Sequence, residues 1–444
     1  MSWSWKPAAL GITPRHDLPS GWKVARVGDL AHLINGQPYD SKFFGQEGVP
    51  LIRIRDILGG SIETRYSGAP LTSRRVQYGD LLIGMDGDFN TGRWEHSEPG
   101  LLNQRVLAVE ASAEISSWFG YCLPEPLTII NDLKYSTTVK HLSSKDVASI
   151  RIPLPGNTDL LKLLYFLDRE TAEIDAFIAD QERLIELLEE RRAATITHAV
   201  TKGLDPNAPM KDSGLEWVGQ IPEHWRMMPI KRVASIRGRI GFRGYTTADL
   251  VDEGSGAIAL SPGNMRAGRL RWQDSTYISW EKYFESPEIV VSSGDTLLVK
   301  TGSTFGKTAY VELSEKSHVT INPQIVILRP YNMDGYFFHC AISNSRVHNE
   351  FRSYPTGGTT PTMTESRIGS IEIAVPDYKE QRAIADFLKR EAAELDAAVA
   401  DAREAIVLSR ERRAALISAA VTGQLDVSQA RRPVEEVLED EVRV

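Results

Sequence analysis

Residues 166–205 read FLDRETAEIDAFIADQERLIELLEERRAATITHAVTKGLD, and residues 387–426 read FLKREAAELDAAVADAREAIVLSRERRAALISAAVTGQLD. One forty-residue pattern is written twice at an offset of 221, with more than half of its positions identical. A chain with such a long internal period is built from two similar bodies. In the first copy Leu167, Thr171, Ile174, Ile178, Gln181, Ile185, Leu188, Arg192, Thr195 and Ala199 alternate at spacings of four and three. In the second, Leu388, Ala392, Leu395, Val399, Ala402, Ile406, Ser409, Arg413, Leu416 and Ala420 occupy the same seam. A seam held over this length predicts two long helices packed on each other inside one chain. The competing reading is that each helix only covers its own sheet. About 35–37 helical residues at 1.5 Å each make a rod of roughly 55 Å. If the pair runs antiparallel, the bodies lie at opposite ends and an approximate two-fold relates them. Such an arrangement suits two sites about one DNA turn, roughly 34 Å, apart.

The repeat extends upstream of the helices. SIRIPLP (149–155) matches SIEIAVP (370–376) at the same offset, and a thinner skeleton precedes them. LPSGWKVARVGDL (18–30) aligns with IPEHWRMMPIKRV (221–233), GDLLIGMDG (79–87) with GDTLLVKTG (294–302), and LNQRVLAV (102–109) with NPQIVILR (322–329). The offset is 203 at Trp22 and Trp225 and 221 at the helices, so the second body is the longer by 18 residues. Short apolar runs bounded by Gly, Asp and Asn predict strands, and ISSWFGYCL and MDGYFFHCAISNSRVHNEF are the best helical stretches. The expected class is α+β: two globular domains with curved β-sheets, separated by two long antiparallel helices in an intramolecular coiled coil. The expected boundaries are 1–155 for the first globule, 156–205 for its helix, 206–221 for a linker, 222–376 for the second globule, 377–426 for its helix and 427–444 for an acidic, disordered tail.

A length of 444 residues is consistent with more than one core. No run approaches the roughly 18 apolar residues of a membrane span, and the amino-terminal stretch lacks a signal-peptide pattern, so a cytoplasmic location is expected. Cys122 and Cys340 sit in no metal-binding or redox spacing and are expected to be small core residues at related positions. The net charge of −8 is unevenly spread, because KRVASIRGRIGFRGYTT (231–247) holds five cations and no acid. Candidate DNA contacts are therefore Arg53 and Arg55 (IRIRDI), Arg74 and Arg75 (TSRRVQYGD) and Arg93 (TGRW) in the first globule. In the second they are Arg237, Arg239, Arg243, Arg269, Arg271, Lys300 and Lys307. Arg and Lys supply phosphate contacts and can also reach base edges. The two sets do not align across the repeat, as expected if each copy reads a different half-site. The plainer reading of any one of them is a solubilising surface charge.

Features that suggest chemistry weaken on inspection. TGSTFGKT (301–308) lacks the first glycine of a phosphate-binding loop and is expected to be a turn after a strand. PDYKEQ (376–381) reads as the first turn of a helix, and INPQ (321–324) lacks the proline and aromatic residue associated with amino-group methylation. The nine histidines form no metal or triad spacing. No constellation in the sequence does catalysis.

MKDSGLEWVGQIPEHW (210–225), GGTTPTMTESRIGSIEIAVP (357–376) and PDYKEQRAIADFLKREAAELDA (376–397) carry a likeness of another kind. Through them the chain resembles the DNA-specificity subunits of type I restriction-modification systems over nearly its whole length. The first copy departs from that pattern, since GNTDLLKLLYFLDRE (156–170) lacks the Glu-Gln-Arg of the second. The resemblance implies a non-catalytic subunit in which each globule is a target-recognition domain for half of a bipartite, asymmetric double-stranded DNA sequence. It implies as partners two modification subunits, which use S-adenosylmethionine to methylate adenine. It also implies restriction subunits that use ATP and Mg, with no cofactor bound by this chain. Glu189, Glu190, Arg191, Arg410, Glu411 and Arg412 would then be contacts for those partners. The alternative is a two-headed coiled-coil scaffold that binds proteins rather than DNA.

Overall fold

The computed structural model describes residues 5–8, 11–14, 17–59, 62–72, 74–133, 141–240, 244–266, 268–313, 317–353 and 362–425. The chain divides into two compact units, one formed by residues 1–181 with 404–444 and the other by 182–403. Both boundaries fall inside long helices, Asn157–Lys202 and Tyr378–Val421. Each unit therefore holds one globule, the first part of that globule's own long helix and the last part of the other copy's.

The first globule is built on two four-stranded sheets. One has the order His32–Asn35, Val106–Glu110, Leu81–Gly84, Thr91–Arg93, with every neighbour antiparallel. The other has the order Leu101–Leu102, Val49–Ile52, Arg65–Tyr66, Phe44–Gly45, and its first pair is parallel. Lys23–Arg26 and Arg151–Leu154 close the globule as a separate antiparallel ribbon. The second globule repeats each part in the same order and the same senses. Its first sheet is Ala234–Gly238, Ile325–Pro330, Thr296–Val299, Thr308–Tyr310, and its second is Val319–Ile321, Ala257–Leu260, Thr276–Ile278, Leu250–Val251. The ribbon there is Arg226–Pro229 with Glu372–Val375. Central strands such as Leu81–Gly84 and Thr296–Val299 are buried at every position, which explains their unbroken apolar runs.

Strand registers locate the extra length of the second copy. Partners by register are His32 and Ser235, then Tyr66 and Ile278, Leu81 and Thr296, Val109 and Leu328, and Arg151 and Glu372. The offset thus climbs in small steps from 203 through 212, 215 and 219 to 221, so the growth is spread over many connections. These registers correct the sequence pairing of 102–109 with 322–329 by one residue, for Val106 corresponds to Ile325. Both strands are buried along consecutive residues, so burial does not choose the register; the pairing with the neighbouring strands Leu81–Gly84 and Thr296–Val299 does. Two other expectations also change. Pro124–Leu133 forms a helix that the sequence reading missed. The stretch expected to link the copies forms a hairpin, Met210–Asp212 with Gln220–Pro222, and Val218 and Ile221 lie in the second globule's core.

Each core is completed by both long helices. In the first unit Leu160, Leu163, Leu164 and Leu167 from one helix pack with Ala420 and Val421 from the other. In the second unit Ile384, Ala385 and Leu388 pack with Ala199 and Val200. Each helix stops at a glycine with positive φ: Gly203 at +77° beside Trp225 and Pro222, and Gly423 at +73° beside Trp22 and Pro19. A Cβ on Gly423 would come within 2.4 Å of Pro19. The helices span 46 and 44 residues, longer than the repeat suggested, because the core-facing apolar positions begin upstream of Phe166 and Phe387.

Between the globular ends the heptad seam is the non-exposed stripe of both helices. Arg192 and Arg413 occupy repeat-related seam positions, and each meets an aspartate on the facing helix. Arg192 Nη1 donates to Asp396 Oδ1 at 2.7 Å and Nη2 to Oδ2 at 3.3 Å. In the other unit Arg413 Nε lies 2.8 Å from Asp175 Oδ1, at an angle too bent for a hydrogen bond, so that contact is coulombic. Arg191–Glu391 at 3.5 Å and Arg403–Glu189 at 3.9 Å extend the pairing. In the second unit higher numbers on one helix meet lower numbers on the other, so the helices run antiparallel. The reading in which each helix only covers its own sheet is thereby overturned.

Candidate nucleic-acid interface

In the first globule the candidate cations lie on loops and strand ends around the two sheets. Arg53 precedes a single 3-10 turn, where its backbone N–H donates to Asp56 at 2.8 Å and its guanidinium lies 6.0 Å from the Phe44 ring. Arg55 is exposed and reaches Glu63 at 3.1 Å and Thr64 Oγ1 at 3.2 Å. Arg74 pairs with Glu110, and Arg75 donates to the Thr72 carbonyl at 2.6 Å. These two arginines share one shallow hollow with Asn35, Gln37 and Thr72. Asn and Gln are amide side chains able to hold a base edge by paired hydrogen bonds. Neither was among the sequence candidates: Asn35 ends the strand His32–Asn35 and Gln37 follows it. Arg93 stands apart, half-buried at the end of Thr91–Arg93 beside Gly120.

In the second globule the candidates separate into three groups. Arg237 is exposed on Ala234–Gly238, and Arg271 is exposed, donating to Gln273 at 3.1 Å. Arg239 corrects an expectation, since it is 4% exposed and donates to the Ile321 carbonyl at 3.1 Å and to Thr320 Oγ1 at 3.2 Å. Its guanidinium lies 5.5 Å from the Tyr245 ring, and burial lowers its pKa from the usual arginine value. A cation committed in this way ties the two sheets together and presents no surface to DNA. Arg243 lies outside the described residues. Lys300 is held by Glu365 at 3.2 Å, and Lys307 donates to the Pro262 carbonyl at 3.1 Å.

Arg269 sits on the hairpin Met265–Arg266 with Arg269–Leu270 and donates to Asp396 on the second long helix. Asp396 therefore accepts from two guanidinium groups, those of Arg192 and Arg269. Arg269 and Lys307 line one open cleft of about 900 Å³ with Arg192, Lys389, Tyr310, Tyr336, His339 and Asn349. Burial pushes the Tyr310 and Tyr336 hydroxyls up to about 12, so both remain O–H donors near neutrality. Burial also pushes His339 down to about 4, which keeps its imidazole neutral. Arg192 was read from the sequence only as a position of the helical seam, and Lys389 was not singled out, because a cation in a helical pattern carries no sign of the cleft beside it.

The catalytic-looking motifs take structural roles. TGSTFGKT turns back through Gly302 and Gly306 and runs into the strand Thr308–Tyr310, whereas a phosphate-binding loop opens a helix. Asp377 caps the second long helix by accepting from the Glu380 N–H at 2.9 Å. Glu380 in turn accepts from Trp225 Nε1 at 3.0 Å and lies 2.8 Å from His224 Nε2. In the first copy Leu160, buried in the core, takes the place that Gln381 holds in the second. Asp159 and Leu161 stand at the other two positions of that Glu-Gln-Arg. Asn322 and Gln324 of INPQ bond each other in a tight turn at 3.2 Å.

A repeated two-sheet globule, each copy completed by both members of an antiparallel pair of long helices, defines a class of duplicated, two-headed proteins. The chain belongs to the type I restriction modification DNA specificity domain family, whose model matches residues 19–174 and 260–399. The specificity subunit of the type I restriction enzyme EcoBI from Escherichia coli is 26% identical over 428 residues, covering 94% of this chain and 88% of that one. The MjaVIII specificity subunit from Methanocaldococcus jannaschii is 21% identical over 390 residues, covering 84% and 86%. A solved structure reported for complex assembly and conformational transition of the type I R-M system shares the fold, with a TM-score of 0.62. Its sequence identity is 18%, over 92% of this chain and 100% of that chain.

Proposed function

We propose that this chain is the non-catalytic, sequence-reading subunit of a type I restriction-modification complex. Each globule reads one half of a bipartite, asymmetric DNA target, and the helix pair fixes the register of the two readers. The observation that carries this reading is a frame repeated strand for strand whose cations fall at non-equivalent positions. A common scaffold with different edges is what two different half-sites require. The helices stayed alike at more than half of their positions because each completes the other copy's core and meets the same partner type.

In this reading Arg55, Arg74, Arg75, Arg237 and Arg271 are the exposed candidates for phosphate or base contact, with Arg53, Arg93, Lys300 and Lys307 at the rim. Two adenine-methylating modification subunits are the partners, docked on the exposed helix faces that carry Glu189, Glu190, Arg191, Arg410, Glu411 and Arg412. S-adenosylmethionine belongs to those subunits, and ATP and Mg to any restriction subunits, with this chain binding none of them. The compartment is the cytoplasm. The test is co-expression with a modification subunit, followed by sequencing of the host DNA for methylated adenine. One split, asymmetric motif is expected. A stable complex that methylates no defined sequence, or only a continuous palindrome, refutes the proposal.

A further inference from the structure

Resting on the DNA-reading function proposed above, we infer that Asn35 and Gln37 are specificity-determining residues of the first globule and read A·T base pairs from the major groove. Arg74 and Arg75 beside them hold the adjoining phosphates. The four side chains line one hollow of the first unit, with Thr72 at its edge. Asn35, Gln37 and Arg74 are exposed, and Arg75 is half-buried.

Strand registers show what the second copy places at the same points. Asn35 pairs with Leu107 as Gly238 pairs with Val326, so Gly238 and Ile240 are the counterparts of Asn35 and Gln37. The Val76 N–H donates to the Gly100 carbonyl as the Val291 N–H donates to that of Val319, so Ile289 and Val290 are the counterparts of Arg74 and Arg75. A glycine and three apolar residues thus stand in one copy where four polar groups stand in the other. The frame around them is the same strand for strand, and it folds with Ile289 fully buried at the place of the exposed Arg74. Holding the shared frame together does not call for this polar set. Reading a half-site that the second copy does not read does call for one.

The amides are also set firmly enough to read. Gly36, between them, lies so close to the neighbouring chain that a Cβ there would come within 1.8 Å of the Asn103 carbonyl oxygen. The Gly36 N–H donates to the Val106 carbonyl at 3.0 Å, and the Gln37 N–H to that of Leu102 at 2.9 Å. Backbone held in this way lets a side chain meet a base edge at one angle. The Gln37 side chain has no hydrogen-bond partner among the described residues, and Asn35 has one long contact, Nδ2 to Ser144 Oγ at 3.5 Å.

An amide presents a donor and an acceptor together, which matches N6 and N7 of adenine, an edge displayed in the major groove. Guanine shows two acceptors there and suits arginine instead. Arg75 spends Nη1 on the Thr72 and Arg74 carbonyls, at 2.6 and 3.1 Å, and Arg74 is held by Glu110. Both cations are braced by this chain, which suits them to phosphates and leaves the bases to the amides. Two residues of extended chain span about 7 Å, and successive base pairs lie about 3.4 Å apart. Asn35 and Gln37 therefore serve neighbouring positions of a single half-site.

The test co-expresses the chain with a modification subunit and sequences host DNA for methylated adenine, comparing the unaltered chain with Asn35→Ala and Gln37→Ala. Each substitution is expected to relax an A·T position in one half-site, with discrimination there falling about tenfold or more, while the other half-site stays as it was. The unchanged half-site also reports that the variant is folded. A motif left intact by both substitutions, weakened alike at every position, or relaxed at a G·C pair overturns the assignment. An unaltered chain that yields no split motif would remove the proposed function and this assignment together. Binding of the purified complex to duplexes carrying 7-deazaadenine at the relaxed position provides a second measurement. Loss of N7 should weaken the unaltered complex about tenfold and leave the matching alanine variant little changed, and equal losses in both also overturn the assignment.

Discussion

Asp175 and Asp396 are the same residue of the repeat, and the structure predicts that removing them has unequal consequences. Asp396 is 33% exposed and accepts from Arg192, itself 28% exposed, through two hydrogen bonds. It also accepts from Arg269, whose side chain is 64% exposed. A hydrogen bond to a charged group contributes about 1.5–3 kcal/mol when it is shielded from water. The solvated Arg269 arm adds less than about 1 kcal/mol. Asp396→Ala is therefore expected to cost about 2–4 kcal/mol, partly because it leaves the Arg192 guanidinium unpaired in the seam. Asp175 and Arg413 are 52% and 38% exposed and meet through one bent contact, so Asp175→Ala should cost about 0–1 kcal/mol.

Urea unfolding read by tryptophan fluorescence separates the two cases, because Trp225 is fully buried in the core that also holds Ala199 and Leu388. A double-mutant cycle of Arg192→Ala and Asp396→Ala should return a coupling of at least about 1 kcal/mol. Equal losses from the two aspartates, or a cycle that closes near zero, would refute the idea that the seam arginines lock the register of the helices.

Other consequences follow from the same contacts. His339 is pushed down to about 4 by burial, so between its unfolded value of 6.5 and about 4 the unfolded chain binds a proton that the folded chain does not. Stability should therefore be lost as pH falls through that window, by about 3 kcal/mol, and His339→Gln should flatten the profile in calorimetry; an unchanged slope counts against it. A fragment ending at residue 205 retains Ile196, Ala199 and Val200, the repeat partners of Ile417, Ala420 and Val421, which complete the first core. Light scattering should find it dimeric, each copy supplying its helix end to the other, and a well-folded monomer would exclude that exchange. Arg74→Ala with Arg75→Ala should weaken DNA binding and make the salt slope shallower by about one to two. Arg239→Ala should instead destabilise the second globule, with little change in the salt dependence of what remains folded, and titrations across salt distinguish the two.

The helices were legible in the sequence because their constraint is periodic: a seam residue must recur every three or four positions, and its burial leaves a record that can be read without neighbours. Their pairing could be inferred because the same seam appeared twice. The sheets were less legible. Phe44–Gly45, Arg65–Tyr66 and Leu101–Leu102 are two residues long, and their pairing is set by contacts distant in sequence, with no local pattern to announce it. The one-residue error at Val106 has the same origin, because short apolar runs align equally well in two registers until a partner strand chooses between them. Cation sites were the least legible. Arg237 and Arg239 stand on one short stretch of sequence, yet one is exposed and the other is held by Thr320 and Ile321 from a strand more than eighty residues away.

That contrast bears on how such a protein changes what it reads. Each globule's own long helix enters its core at one end, and the other copy's helix enters beside it through an Ala-Val pair that is the same in both copies. A substitution in either helix end is felt in a core that must also accept the other copy's geometry, so the helices tolerate little. The loops bearing Arg74, Arg75 and Arg271 have no duty to the repeat and can vary one copy at a time. Exchanging residues 17–154 for the corresponding globule of a relative, with the ribbon Arg151–Leu154 as the junction, should therefore preserve folding while altering one half-site alone. A swap placed inside the helix end, at Ile196–Val200, should instead destabilise the second core with the first globule untouched. If both swaps were tolerated equally, the helix ends would not be the shared constraint, and their likeness would require another cause.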